Sequence, residues 1–332
     1  MPSQTWNTVE LQTDSGQTVR AKAPVIISAS RSTDIPAFFS RWFMNRLRRG
    51  YVRRVNPFNR ASEYVSFQKA RVIVFWSKNP EPLIRHLPEL DANGINYYFQ
   101  FTVNDYAREN LEPHLPSLSR RIDTFRALSE AVGKQRVVWR FDPLVLTDRL
   151  TVDRLLDRIA GVAAQLSPFT ERLVISFADI GIYRNVRGNL ASARVNCRDF
   201  TPGLMVDAAQ RLQRLNREWG LKIAACAEDI DLEPYGVGHG RCVDDRLLIE
   251  AFGHDEALMR FLGHGQDLLA DASRPYLKDK GQRKACGCIV SKDIGMYGTC
   301  PHQCAYCYAN ASRRAVESNF GRHNPESDAL IP

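Results

Sequence analysis

The chain has 332 residues, 44% of them hydrophobic, enough to bury one large core or two modest ones. It contains no run of eighteen apolar residues, so neither a membrane-spanning helix nor a membrane partner is expected. The net charge of +8 suits a polyanion such as nucleic acid or a phosphorylated metabolite, and equally a solvated basic surface of scattered arginines.

The opening MPSQTWNTVELQTDSG has neither a basic nor an apolar leader segment, so no signal peptide is expected and the location reads as cytoplasmic. Polar and apolar residues alternate on both sides of the DSG triplet, which predicts a hairpin extension over 1–23. The main domain is expected over 24–320, with a flexible tail at 321–332. Within it VIISAS (25–30) reads as a buried strand, followed by a helix over 36–49 with Pro36 in its first turn. RVIVFWS (71–77) is the next strand, with a helix over 80–90; NYYFQFTV (96–103) follows, with a helix over 117–132. RVVWRFDPLVL (136–146) and a helix over 152–166 come next, then RLVISFA (172–178), a helix over 202–219 and LKIAACA (221–227). Near-continuous apolar strands alternating with helices imply an α/β fold of parallel strands covered by helices, most economically a partial or full TIM-type (β/α) barrel.

In such folds the chemistry sits where strands end. Six strand ends carry polar or charged residues: SRSTD at 30–34, SKNP at 77–80, TVND at 102–105, FDP at 141–143, FADI at 177–180 and CAED at 226–229. Any one of them also reads as a helix cap. Together they predict a polar mouth.

Eight cysteines without an export signal point to reduced thiols or metal ligation. Cys300, Cys304 and Cys307 are spaced C-x-x-x-C-x-x-C within CPHQCAYCYAN. One short loop of this kind can give three thiolates to three irons of a [4Fe–4S] cluster and leave the fourth iron open. A structural zinc, which wants four closed ligands, fits it less well. Cys286 and Cys288 form C-G-C; with Cys226 and Cys242 they are candidates for an auxiliary Fe–S cluster or a structural zinc. C-x-C is less typical of zinc, which favours the cluster. Cys226 reads alternatively as a catalytic hydrogen-atom donor or an inert strand cysteine. Cys197 has no visible partner, and His239, His254, His264 and His302 show no ligand spacing. His302, inside the loop, either contacts the cluster region or packs.

The cysteine spacing, with Tyr306 before the third cysteine, resembles the radical S-adenosylmethionine (SAM) superfamily. Thr33-Asp34 with Pro36, Ser77–Pro80, Leu111-Glu112-Pro113 with Pro116, Ser117 and Arg121, and Arg140–Pro143 resemble, in order, motifs of its spore photoproduct lyase-like branch. There the cysteine loop precedes these motifs, whereas here it follows them. Circular permutation accounts for this, with Ile289-Val290 as the strand into the loop, VIISAS beside it and a helix over 309–319 after it. The chain is also similar to the DUF1848 family, through S-R-x-T-D-I-P-A at 30–37, N-P-F-N at 56–59 and the cysteine segment at 300–310.

The resemblance implies a radical SAM enzyme with its cluster segment at 286–310 and an electron donor such as flavodoxin or ferredoxin. It implies that Tyr306 lies near the adenine, that Thr33 and Asp34 hold the SAM amine, and that Lys78 contacts SAM or substrate. Arg140 would pair SAM's carboxylate or a substrate anion, or form an internal salt bridge with Asp142. Nucleic acid is a candidate substrate from the branch and the charge, although no aromatic-basic stripe is evident in the sequence. The second reading is a zinc-bearing nucleic-acid-binding or hydrolytic barrel. Residues 181–284 are not covered by the branch motifs.

Overall fold

The structure is a computed structural model and describes residues 6–56, 61–264 and 277–332. Most of the expected N-P-F-N segment and the first five residues of the expected extension lie outside the described residues. The chain opens with an antiparallel hairpin of β1 (Thr8–Gln12) and β2 (Thr18–Lys22), turned at Gly16, whose φ of +79° suits glycine. β3 (Ile26–Ala29) leads to α1 (Ile35–Phe38) and α2 (Ser40–Arg49), two helices where the sequence predicts one. β4 (Tyr51–Val55) and β5 (Ser62–Ser66) form an antiparallel pair that the sequence reading does not contain. They join the hairpin in a four-stranded sheet, β1-β2-β5-β4, so the extension is the edge of a larger layer.

β6 (Val72–Ser77), α3 (Glu81–Ile84), α4 (Leu87–Ala92), β7 (Asn96–Thr102), α5 (Leu118–Val132) and β8 (Val137–Leu144) continue the alternation. β9 (Leu146–Thr147), α6 (Val152–Leu166), β10 (Arg172–Phe177), α7 (Arg184–Ser192), β11 (Cys197–Arg198) and α8 (Pro202–Trp219) follow. The long helices start where their caps dictate. Ser117, Thr151 and Thr201 each accept a hydrogen bond from the amide three residues on, and Pro202 opens α8. β12 (Lys222–Cys226), β13 (Gly238–Gly240), α9 (Asp245–Phe252), α10 (Glu256–Phe261), β14 (Lys292–Asp293) and α11 (Arg313–Gly321) complete the described elements.

Eight strands form one sheet in the order β13-β12-β10-β8-β7-β6-β3-β14, with every neighbouring pair parallel. The strands are apolar on both faces because both are covered. Ile27, Ile73, Phe75, Phe99, Phe101 and Trp139 pack in the core shared with the helix layer. Ile26, Val72, Val74, Tyr98, Val138 and Val174 pack in a second core, with Leu247, Leu248 and Leu258 of α9 and α10. The outer strands β13 and β14 do not pair with each other, so the sheet is open among the described residues.

The last strand in sequence borders the first, Lys292 opposite Ile27 and Asp293 opposite Ser28. The strand entering the cysteine loop is therefore 292–293, not 289–290, and the helix after the loop is Arg313–Gly321 instead of 309–319. Residues 321–332, expected as a flexible tail, pack against the protein. Ala329, Leu330 and Ile331 are buried, Trp42 Nε1 donates to Ser327 O at 3.0 Å, and Arg53 pairs with Asp328 at 2.9 Å. Apolar residues at 329–331 give these residues a core to reach, which their short length hides in the sequence.

Candidate metal and ligand cleft

At the C-terminal ends of the parallel strands lies a cleft of about 630 Å³ whose lining includes residues from all six polar strand ends. Thr33, Asp34, Lys78, Tyr306, Arg140, Asp142, the three loop cysteines and the other four candidate cysteines all line it. Cys197 lies on β11 and does not. Distant stretches of sequence thus converge on one site, as expected at the carboxyl edge of an α/β sheet.

Two carboxylates stitch the start of the domain to the cysteine segment. Asp293, on β14, accepts from Ser28 Oγ and Ser30 Oγ at 2.7 Å and from the amides of Arg31 and Gly295 at 2.8 Å. A side chain at Gly295 would begin 1.9 Å from Ser30 Oγ, so glycine is what lets the segment lie against β3. Asp34 caps α1 through the Ala37 amide and accepts from Ser77 Oγ and the Lys78 amide at 2.7 Å. It also meets His302 Nε2 at 2.9 Å, inside the cysteine loop. Both oxygens of Asp34 are engaged within the protein, so it fastens the loop.

Beneath the loop is a buried ionic network. Lys78 Nζ meets Glu112 Oε1 at 2.8 Å and Tyr306 OH at 2.9 Å, and Asn104 Nδ2 reaches both acceptors at 3.1 Å. The Tyr306 hydroxyl also donates to Glu112, and Arg121 lies 3.7 Å from that carboxylate. Burial pushes the Glu112 carboxyl up, but Lys78 and Arg121 outweigh it and hold it below its ordinary range. Burial pulls Lys78 down, and Glu112 and the nearby Cys304 more than reverse this. Tyr306, expected at the adenine, is anchored into this network by its hydroxyl. Its ring faces Lys78 and packs edge-on to Tyr106, while the residue remains part of the cleft lining.

Arg140 forms the internal salt bridge. Its Nε and one NH2 group reach Asp142 Oδ2 at 3.0 and 2.6 Å, and its other terminal nitrogen reaches Gln100 Oε1 at 3.1 Å and Cys242 Sγ at 3.0 Å. Burial pushes the Asp142 carboxyl up, and Arg140 and Ser176 more than offset it, leaving it lowered.

Burial pushes the thiols of Cys300, Cys304 and Cys307 above their ordinary range. Backbone amides oppose this, His302 at Cys300 and Ala309 and Asn310 at Cys307, and Lys78 opposes it at Cys304. Amide donors aimed at sulfur suit metal-bound thiolates. Thr33 Oγ1, His302 Nδ1 and Asn310 Oδ1 are buried on residues lining the cleft and have no hydrogen-bond partner. Three thiols on one loop beside such atoms fit a cluster whose thiolates bind separate irons. Among the described residues no three His, Cys, Asp or Glu side chains are grouped so as to hold a metal ion.

The mouth of the cleft carries an aromatic rim that the sequence reading does not contain. Tyr183 and Tyr308 lie 5.6 Å apart, Tyr308 and Tyr297 6.2 Å, with Arg283 5.9 Å over Tyr183 and Arg31 5.0 Å over Trp76. These residues are scattered from 31 to 308, so no stripe is visible before folding. Glu112 is within reach of sequence reasoning through its L-E-P motif and Asn104 through the TVND strand end, whereas Asp293 gives no signal that marks a site.

The profile of a family described as "Domain of unknown function (DUF1848)" matches residues 26–309, and the chain belongs to that family. No curated protein matches the chain. A solved structure of a candidate alpha-L-fucosidase from Bacteroides thetaiotaomicron VPI-5482 is similar at 9% identity, covering 76% of this chain and 81% of that one. Its TM-score of 0.27 carries no argument about fold or activity. No helix among the described residues is long and apolar enough to cross a membrane.

Proposed function

We propose that this protein is a radical SAM enzyme in which Cys300, Cys304 and Cys307 hold a [4Fe–4S] cluster. The observation that carries the reading is the loop of three thiols, Cys304 buried and Cys300 and Cys307 half-buried, in a cleft with the unpartnered Thr33 Oγ1 and His302 Nδ1. When bound, the cluster and SAM supply a 5′-deoxyadenosyl radical after reduction by a flavodoxin- or ferredoxin-type donor. Asp34 and Asp293 hold the loop against β3 and the end of β6, while the Lys78–Glu112–Tyr306 network sets its floor. Thr33 and His302 offer hydrogen bonds to a ligand. The adjacency of β14 and β3 supports a circularly permuted relation to the spore photoproduct lyase-like branch.

The tyrosine rim and its arginines favour a planar, anionic substrate, and nucleic acid meets both requirements through base stacking and phosphate contact. Anaerobic reconstitution with ferrous iron and sulfide tests the central reading. The reduced cluster should give an EPR signal that shifts when SAM is added, with formation of 5′-deoxyadenosine. Zinc without iron in anaerobically purified protein, or no 5′-deoxyadenosine under reduction, defeats it.

A further inference from the structure

A second group of thiols lines the same cleft. Cys226 ends β12, Cys242 follows β13, and Cys286 and Cys288 belong to the segment before β14. Cys226 Sγ and Cys242 Sγ are 3.2 Å apart. The Cys288 sulfur accepts from the amides of Cys242 and Val243 at 3.1 and 3.4 Å, and the Cys242 sulfur accepts from the Arg140 guanidinium at 3.0 Å. N–H groups aimed at sulfur stabilise thiolates, and here a guanidinium joins them.

The backbone is built to bring these segments together. The Cys242 carbonyl is held by Tyr98 OH at 2.6 Å and Gln100 Nε2 at 2.9 Å, both on the central strand β7. A side chain at Gly240 would begin 2.6 Å from the Ala225 carbonyl oxygen. One at Gly287, between the two cysteines, would begin 2.9 Å from Arg241 Cγ and 3.3 Å from Gly240 O. Gly240 thus permits the close approach to β12, and Gly287 sits tightly against Arg241 and the Gly240 carbonyl. No disulfide joins any two of the four.

We infer that Cys226, Cys242, Cys286 and Cys288 form a second iron–sulfur site, separate from the loop triad. A cluster divides four thiolates among several irons, so the sulfurs need not converge on one point as zinc would require. Four protein thiolates leave no iron open to chelate SAM. The site therefore differs in kind from the triad, and its cluster is blind to SAM.

The test separates this site from the triad reading. The triple variant C300A/C304A/C307A, purified anaerobically and reconstituted with ferrous iron and sulfide, should retain about two to four irons with matching sulfide. Its EPR signal after reduction should not move on adding SAM. The double variant C286A/C288A should lose that iron and keep the SAM-responsive signal. Should the double variant fail to fold, Mössbauer spectra of the unmodified protein should resolve two iron–sulfur components, only one perturbed by SAM. An iron-free triple variant beside a wild type with about four irons overturns the second site and leaves the triad standing. Zinc in the triple variant also overturns it. Iron retained in the triple variant, with no SAM response in the wild type, upholds the second site and defeats the triad reading instead.

Discussion

Cys300, Cys304 and Cys307 come from one short loop, while Cys226, Cys242, Cys286 and Cys288 come from three segments that meet only because the sheet brings them together. The loop is held from outside itself by carboxylates, Asp34 on His302 and Asp293 on the segment before it. The quartet is held by bare backbone at Gly240 and Gly287 and by the sheet interior at Tyr98 and Gln100. The contrast separates two ways of building a thiolate site. A local motif needs clamps to place it, whereas a dispersed one needs close approach to exist at all.

The largest expected effect breaks the comparison at the loop. Replacing Cys300, Cys304 and Cys307 with alanine should reduce 5′-deoxyadenosine formation to background, measured by chromatography after reduction with SAM present. Equal loss from the C286A/C288A protein would mean that the two groups are one functional unit.

Next comes the floor beneath the loop. Glu112→Gln leaves Lys78 and Arg121 without a buried counter-charge, a change that costs about 3–5 kcal/mol in comparable pairs. Denaturant unfolding at pH 7 should report it. The Glu112 carboxyl is held below its ordinary value of 4.5, so its stabilisation is complete above that value and lost as pH falls through the folded one. The gap between wild type and variant should therefore close in acid. A gap that stays constant down to pH 3 would show that packing, not charge, is what the substitution removes.

Asp34→Asn replaces one of two filled acceptor oxygens with a donor and so loosens His302 and the loop. Partners of metal ligands typically contribute about 10–100-fold to affinity, and iron affinity at the triad should fall by that order. Iron at the quartet should not change. A loss from both sites would show that Asp34 supports the whole cleft instead of the loop alone.

What the sequence made legible follows the same division. The helices 152–166 and 202–219 are found to the residue, because Thr151 and Thr201 announce their starts and amphipathic spacing runs through them. The parallel strands are legible because both faces are buried. The pair β4–β5 is not legible, since YVRRV and SEYVS carry too many polar residues to read as buried strands. At the site, C-x-x-x-C-x-x-C is a spacing and is visible, while the tyrosine rim is a product of topology and is not. Single residues are the weakest ground. Asp34 and Tyr306 line the cleft, yet the partners that occupy them, His302 and Glu112, lie far away in the chain, whereas Arg140 takes the nearby Asp142 that the sequence offers.

The smallest effect probes the quartet at its backbone. Gly287 is not required by a left-handed φ; its constraint is contact, with Arg241 Cγ at 2.9 Å and Gly240 O at 3.3 Å from any added Cβ. The arginine stem can swing aside, but the Gly240 carbonyl is fixed by the strand that carries it. Gly287→Ala should cost about 1–3 kcal/mol, as overpacking does elsewhere. It should also move Cys286 and Cys288 away from Cys242, so iron at the quartet falls while the SAM-responsive signal of the triad persists. Arg241→Ala in the same background relieves only the side-chain clash. If it restores both stability and quartet iron, the carbonyl contact is immaterial; if it restores neither, the backbone approach of Gly287 to Gly240 is what builds the site.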